Sequence, residues 1–199
     1  MIDKIYVFDD IIDKKSQNIL EEYFLTNDSL FKKDNNIRYF GDEVYMPQSV
    51  IVPKVLDTNI DSILKTIENN SIKKIGKTIL KNYRYKINKL EVVDNDFDDI
   101  MSLHIDRYEE HISIVYYVNN TDGDTCLYEI DLSDLEKWQL LVKNRKFEKF
   151  KFKQQVSPKK GRVVIFNGLL PHHSTYPTIN DRYVVNFNTV IDTKPTSLF

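Results

Sequence analysis

The chain is poor in the residues that mark several large classes of protein. It holds one cysteine, Cys126, in 199 residues. That excludes an internal disulfide and any cysteine-rich zinc site, and it suits a reducing compartment. No window approaches the roughly 18 consecutive apolar residues of a bilayer-spanning helix. The start, Met1-Ile2-Asp3-Lys4, lacks the basic-then-apolar pattern of a secretory signal. The expectation is a soluble, cytoplasmic protein with no membrane partner. An excess of one charge is missing too: 28 basic against 30 acidic residues leave a net charge of −2. The basic surface of a dedicated nucleic-acid binder is therefore not expected. Alanine is absent, and there is no internal repeat and no Pro/Ser-rich linker. Residues 1–199 accordingly read as a single domain.

What is present is ordinary globular material, 41% hydrophobic and 29% charged, which argues against a disordered chain. Ile5-Tyr6-Val7-Phe8 reads as a strand and Asp13 as a helix N-cap. Ile19, Leu20, Tyr23 and Phe24 then recur at helical spacing, which predicts a helix over 14–26. Residues 27–52 read as loops with short strands. Ile60, Ile63, Leu64 and Ile67 predict a second helix over 58–80. Beyond Asn82 the period changes to two, and strands are expected at 83–87, 101–106, 111–118, 125–130, 147–153, 162–166 and 182–191. The fold class that follows is mainly β with flanking helices. Helical support occupies about 1–81, and a sandwich or jelly-roll core occupies about 82–191.

Between the strands, Asp131 to Val142 reads as a short helix with Trp138 packing inward. Lys149-Phe150-Lys151-Phe152-Lys153 reads as a half-buried strand with its lysines in water, in preference to a nucleic-acid surface. The acidic run Asp94, Asp96, Asp98 and Asp99 reads as a solvated loop.

The chemistry concentrates in Leu103-His104-Ile105-Asp106. On a strand, residues i and i+2 share a face, so His104 and Asp106 present an imidazole and a carboxylate together. A third ligand from a neighbouring strand completes a facial triad, the arrangement of non-heme Fe(II) oxygenases. His172 and His173 both compete for that place. His-x-Asp alone is a weak signal, but other features accompany it in order. Val115-Tyr116-Tyr117-Val118-Asn119 follows and turns through Asp122-Gly123. Gly161-Arg162-Val163-Val164-Ile165-Phe166 precedes His172 by six residues at Phe166. Arg182 lies ten residues beyond His172 and opens the last strand.

This ordered set resembles the Fe(II)- and 2-oxoglutarate-dependent dioxygenases, closest to the prolyl-4-hydroxylase-like branch and its small bacterial and phage members, over about residues 82–191. The resemblance implies a double-stranded β-helix, a jelly-roll variant. It implies Fe(II) held by His104, Asp106 and His172, the family spacing favouring His172 over His173. It implies that Arg182 pairs with the distal carboxylate of 2-oxoglutarate and that Tyr117 shares it; a guanidinium fork suits a carboxylate. Asn186 shares a strand face with Arg182. The implied reaction consumes O2 and 2-oxoglutarate, releases succinate and CO2, and hydroxylates a peptidyl (prolyl-like) residue or a small metabolite. Asp106, in place of a small residue, fits hydroxylation over halogenation.

The sequence departs from the pattern in three places. Leu90 falls near a position where relatives carry an aromatic residue. Asn188 stands where nucleic-acid-repairing relatives carry a second arginine, which counts against a nucleic-acid substrate. Asp122-Gly123-Asp124-Thr125 replaces a Gly-Gly-Glu-Thr turn. Candidate lids are 28–50 and 131–155. His111 has no assigned role. The readings of other classes are a non-enzymatic jelly-roll binding module and a cupin-like metalloenzyme that does not use 2-oxoglutarate.

Overall fold

A computed structural model describes residues 2–33, 48–51, 56–92, 103–107, 109–129 and 150–192, without the side chains of 32–33, 48–51 and 84. The acidic run at 94–99, Trp138 with its expected helix, and most of both candidate lids lie outside these residues. No helix among the described residues is long and apolar enough to cross a membrane.

Two helices form where the sequence places them. Helix α1 is Lys14–Thr26. The Asp13 carboxylate caps it by accepting the Ser16 N–H at 2.9 Å, and Leu20 and Phe24 are fully buried. Helix α2 is Thr58–Lys74, capped by Asp57. The expected helix to residue 80 is therefore too long by six. The Gly76 N–H bonds to Lys73 C=O and the Lys77 N–H to Ile72 C=O, with Gly76 at φ +67°. That is a Schellman stop, in which glycine takes the left-handed position. Ile79, expected in the helix, starts a strand instead.

The strands are β1 (Tyr6–Phe8), β2 (Lys32–Lys33), β3 (Gln48–Ile51), β4 (Ile79–Leu90), β5 (Ile112–Tyr117), β6 (Thr125–Glu129), β7 (Lys151–Val156), β8 (Val163–Asn167), β9 (His172–Ser174) and β10 (Arg182–Ile191). They make a seven-stranded sheet ordered β1-β8-β5-β10-β4-β3-β2 and a three-stranded sheet ordered β7-β6-β9. Of the expected strand at 101–106, residues 101 and 102 lie outside the described residues, and the described part makes a single bridge, His104 to His172, which extends the small sheet beyond β9. The core order is thus β8-β5-β10-β4 facing β7-β6-β9-His104, the two four-stranded layers of a jelly roll. Expectation and structure agree on a mainly β fold of this kind.

Alternation along β5 shows how the layers divide. Ile112, Ile114 and Tyr116 join Leu20, Phe24, Ile60, Leu64 and Ile67 in a core between the large sheet and the helices. Val115 and Tyr117 join Leu127, Val156, Val164, Phe166 and Val184 between the two sheets. The helices thus cover one face of the large sheet and leave its other face to the small sheet. Phe24→Ala is expected to lower stability by about 3–5 kcal/mol through lost burial and a residual cavity; thermal or denaturant unfolding measures it.

One strand differs from its reading. The aromatic residues of a half-buried strand would lie on an inner face, but Phe152 on β7 is 51% exposed. The strand is the edge of the small sheet, where Phe152 lies edge-on to the Tyr128 ring, at 5.8 Å between centroids.

Candidate active site

His104, Asp106 and His172 come together, each offering one ligand atom, with all three atoms within 4.8 Å of one another. The backbone makes this happen. His104 N–H bonds to His172 C=O at 3.0 Å and His172 N–H to His104 C=O at 2.9 Å, which sets the two rings side by side with centroids 4.5 Å apart. The Asp106 carboxylate then closes on both, 3.7 Å from His104 Nε2 and 3.9 Å from His172 Nε2.

The surroundings set the orientation and protonation of these groups. His172 Nδ1 lies 2.9 Å from Leu170 C=O; donation there leaves the Nε2 lone pair turned toward Asp106 and His104. Burial and the neighbouring His104 hold His172 down at about 4, so its ring is neutral near pH 7, as a metal ligand must be. Burial pushes the Asp106 carboxyl up. The hydrogen bond from His104, the imidazole of His172 and the Ser113 hydroxyl outweigh it and hold the group well below the usual carboxylate range. Ser113 donates to Asp106 Oδ2 at 2.7 Å.

Ser113 was not legible as a site residue, although period two places it on the same face as Tyr117. His111, without a role in the sequence, backs it with Nε2 at 3.3 Å from Ser113 Oγ. His111 needs the following turn to be bare, because a Cβ on Gly168 would stand 2.0 Å from that same Nε2. Ser113→Ala is expected to weaken divalent-metal binding by about 10- to 100-fold, the range for an outer partner of a ligand; a metal titration reads it out.

His173 goes elsewhere. Adjacent strand residues face opposite sides, and its Nε2 lies 3.0 Å from the Tyr128 hydroxyl on the outer face of the small sheet.

A second polar cluster lies between the sheets. Arg182 is 2% exposed, and its Nη2 donates to Thr125 Oγ1 at 2.9 Å. Tyr117, fully buried, also donates to Thr125 Oγ1, at 2.7 Å, with Val156 C=O at 3.2 Å. Its hydroxyl is thus committed to Thr125 and a backbone carbonyl. The Arg182 Nε is buried without a hydrogen-bond partner, and burial lowers the tendency of the guanidinium to stay charged. Among the described residues no carboxylate forms an ion pair with Arg182. Asp181, next in the chain, is taken by Lys89 at 3.0 Å.

The backbone around Arg182 is pinned from both sides. Asn119 donates to Asp181 C=O at 2.8 Å and accepts the Tyr183 N–H at 3.0 Å. The Asp122 carboxylate accepts the Thr178 and Ile179 N–H groups and so shapes the approach to β10. Gly123, at φ +91°, takes a backbone conformation that a side chain would strain, and a Cβ there would press on its neighbours, 3.2 Å from Arg182 Cδ and 3.1 Å from Thr175 C=O. Tyr117 and Asn119 of Tyr-Tyr-x-Asn and the altered turn therefore surround the buried guanidinium, while Tyr116 packs on the other face under the helices. Leu90 is the cross-strand neighbour of Arg182 and is buried.

The amino-acid sequence matches no known family model and no curated protein. The fold does have solved counterparts. A prolyl-4-hydroxylase from Pseudomonas putida superposes with TM-score 0.59 at 11% identity, over 93% of this chain and 91% of that one. A prolyl hydroxylase in complex with a hypoxia inducible factor peptide fragment, from Trichoplax adhaerens, gives 0.58 at 11% identity over 93% and 82%. HygX from Streptomyces hygroscopicus, with nickel and 2-oxoglutarate bound, gives 0.58 at 13% over 97% and 83%. The chain thus shares its fold with prolyl hydroxylases and 2-oxoglutarate-binding proteins.

Proposed function

We propose that this protein is an Fe(II)- and 2-oxoglutarate-dependent dioxygenase that hydroxylates a peptidyl, prolyl-like residue or a small metabolite. The observation that carries the reading is the pairing of two clusters in one jelly roll. One is a convergent His-Asp-His set, and the other is a buried guanidinium with an unpartnered Nε and no carboxylate of its own among the described residues. A buried charge without a counter-ion is costly, and a ligand carboxylate is the group that completes it.

The donor set fits the metal. Two neutral imidazoles and one carboxylate on a single face suit non-heme Fe(II) and leave coordination positions for other molecules. His104, Asp106 and His172 would hold the ion, and Arg182 with Tyr117 would hold the far carboxylate of 2-oxoglutarate. Bound iron supplies activation of O2, coupled to the conversion of 2-oxoglutarate to succinate and CO2. The chain's own residues do the rest. Ser113 fixes the carboxylate of Asp106, and Leu170 C=O fixes the tautomer of His172. Thr125, bonded to both Arg182 and Tyr117, holds the fork and the phenol side by side, and the Tyr117 hydroxyl would turn its proton from Thr125 to the carboxylate. Val115, Val164, Phe166 and Val184 between the sheets exclude water from the region of reaction.

The test is an anaerobic titration with Fe(II) and then 2-oxoglutarate, watched for the visible metal-to-ligand charge-transfer band. Its appearance supports the reading. Tight Fe(II) binding without a band supports the cupin-like alternative, and no metal binding leaves a jelly-roll binding module.

A further inference from the structure

The inner wall of the large sheet carries two amides that neither polar cluster uses. On β10, Tyr183, Val185 and Phe187 belong to the core under the helices, whereas Val184 belongs to the core between the sheets. Asn186, two residues from Val184, therefore faces the space between the sheets. On β4, Ile87 lies under the helices, so Asn88 takes the opposite face, cross-strand from Val184. Asn88 is 4% exposed. The Oδ1 atoms of Asn88 and Asn186 are both buried with no hydrogen-bond partner.

Native interiors rarely hold such atoms, because a buried oxygen stripped of water and left unpaired loses stability outright. Two of them face the same space from neighbouring strands. Their place in the register is informative. Asn186 lies opposite Val115, between the Ser113 and Tyr117 positions of β5. Ser113 holds Asp106, and Tyr117 shares Thr125 with Arg182. The amides thus flank the stretch that joins the two clusters. Half a turn about the last side-chain bond exchanges oxygen and nitrogen, so each amide can accept or donate.

We infer that Asn88 and Asn186 are specificity-determining residues that read hydrogen-bonding groups beside the reacting carbon, so that the substrate carries hydroxyl, amino or amide groups there and is not a hydrocarbon. The inference rests on the oxygenase reading and narrows its substrate. A buried amide selects strongly, since a molecule lacking the matching group leaves the amide unpaired on binding. The shared chemistry is a polar group within a bond or two of the target, whether it belongs to a peptide or to a hydroxylated metabolite.

The experiment uses three small probes: N-acetylprolinamide for a peptide source, myo-inositol for a polyol, and cyclohexane as the apolar comparison. Protein loaded with Zn(II), a redox-inert stand-in, and 2-oxoglutarate is examined by saturation-transfer NMR. Wild type is expected to bind one of the polar probes more tightly than cyclohexane, and the identity of that probe names the source. Asn88→Leu and Asn186→Leu are each expected to weaken the polar probe about tenfold and to spare cyclohexane, with a thermal midpoint no lower than wild type. Asn186→Ser serves as a smaller replacement should leucine crowd the site. Preference for cyclohexane, binding of no probe, or unchanged binding in the variants would overturn the inference. So would a lowered thermal midpoint in all three variants, which marks the amides as structural. The Fe(II)–2-oxoglutarate band separates the two levels of the argument. Its absence in wild type removes the oxygenase reading, whereas its presence in wild type and loss in the variants moves the amides to the co-substrate and overturns this inference alone.

Discussion

Asp106→Ala is expected to abolish the visible band with Fe(II) and 2-oxoglutarate and to weaken Fe(II) binding by more than about 100-fold, beyond what the loss of an outer partner costs. The size follows from the donor set. Asp106 is the one carboxylate of the cluster, set 3.7 and 3.9 Å from the two imidazole nitrogens, and it alone brings negative charge to balance a divalent ion. Two neutral imidazoles remain in the variant. The same change removes the hydrogen bond of Ser113, so the supporting side chain loses its purpose along with the ligand. Isothermal titration with Fe(II) or a redox-inert substitute under anaerobic conditions measures the loss. Fe(II) affinity within tenfold of wild type would sink the triad. Asp106→Glu is a useful companion, because it keeps the charge and displaces the oxygens.

Arg182→Ala is expected to weaken 2-oxoglutarate by about 100- to 1,000-fold while Fe(II) binding persists, the scale of losing one partner of a buried, hydrogen-bonded charge pair. The two clusters are separate sets of residues, so the two variants should divide cleanly: one loses metal and everything after it, the other loses only the co-substrate. Arg182→Lys keeps charge and loses the planar fork, and an intermediate affinity is expected from it. A titration of 2-oxoglutarate into the Fe(II)-loaded protein, read at the band, reports both variants. Unchanged affinity in Arg182→Ala would end the assignment of this residue.

Much of this arrangement is visible in the sequence, and the reasons differ by element. Helix α1 is legible because Asp13 marks its start and its apolar residues keep a single period. Strand β10 is legible over 182–191 because a long alternating run has few other readings. The end of α2 is misread because periodicity runs on through the lysines, whereas Gly76 stops the helix by a backbone conformation that hydrophobic spacing ignores. The strand expected over 101–106 is shorter in its described part: the residues alternate, but among 103–106 only His104 finds a partner on β9.

In the candidate site, His104 with Asp106 follows from period two alone. The gathering of His172 and of Arg182 follows from a family-like order of motifs. Asn119 and Thr125 stand in the motifs, but their roles escape sequence reading because their partners are distant; Ser113 escapes because a serine on an apolar strand carries no signal of its own, although Asp106 lies seven positions away. Asn119 bonds to residues 62 and 64 positions away, and Thr125 meets Arg182 across 57. Only the strand register brings such pairs together.

The buried guanidinium of Arg182 has no carboxylate in an ion pair with it among the described residues. A chain that keeps such a cation between its sheets is less stable than it would be with that cation paired, and 2-oxoglutarate is the partner proposed for it. A ligand bound only by the folded state stabilises by RT ln(1 + [L]/Kd), about 2.7 kcal/mol at a hundred times Kd. The metal-loaded protein is therefore expected to unfold at a temperature that climbs with 2-oxoglutarate concentration, and Arg182→Leu to start higher without ligand and respond little to it. Differential scanning fluorimetry distinguishes the two slopes. On this view 2-oxoglutarate is a folding ligand as well as a co-substrate, and the folded fraction rises with its concentration even before any substrate is turned over.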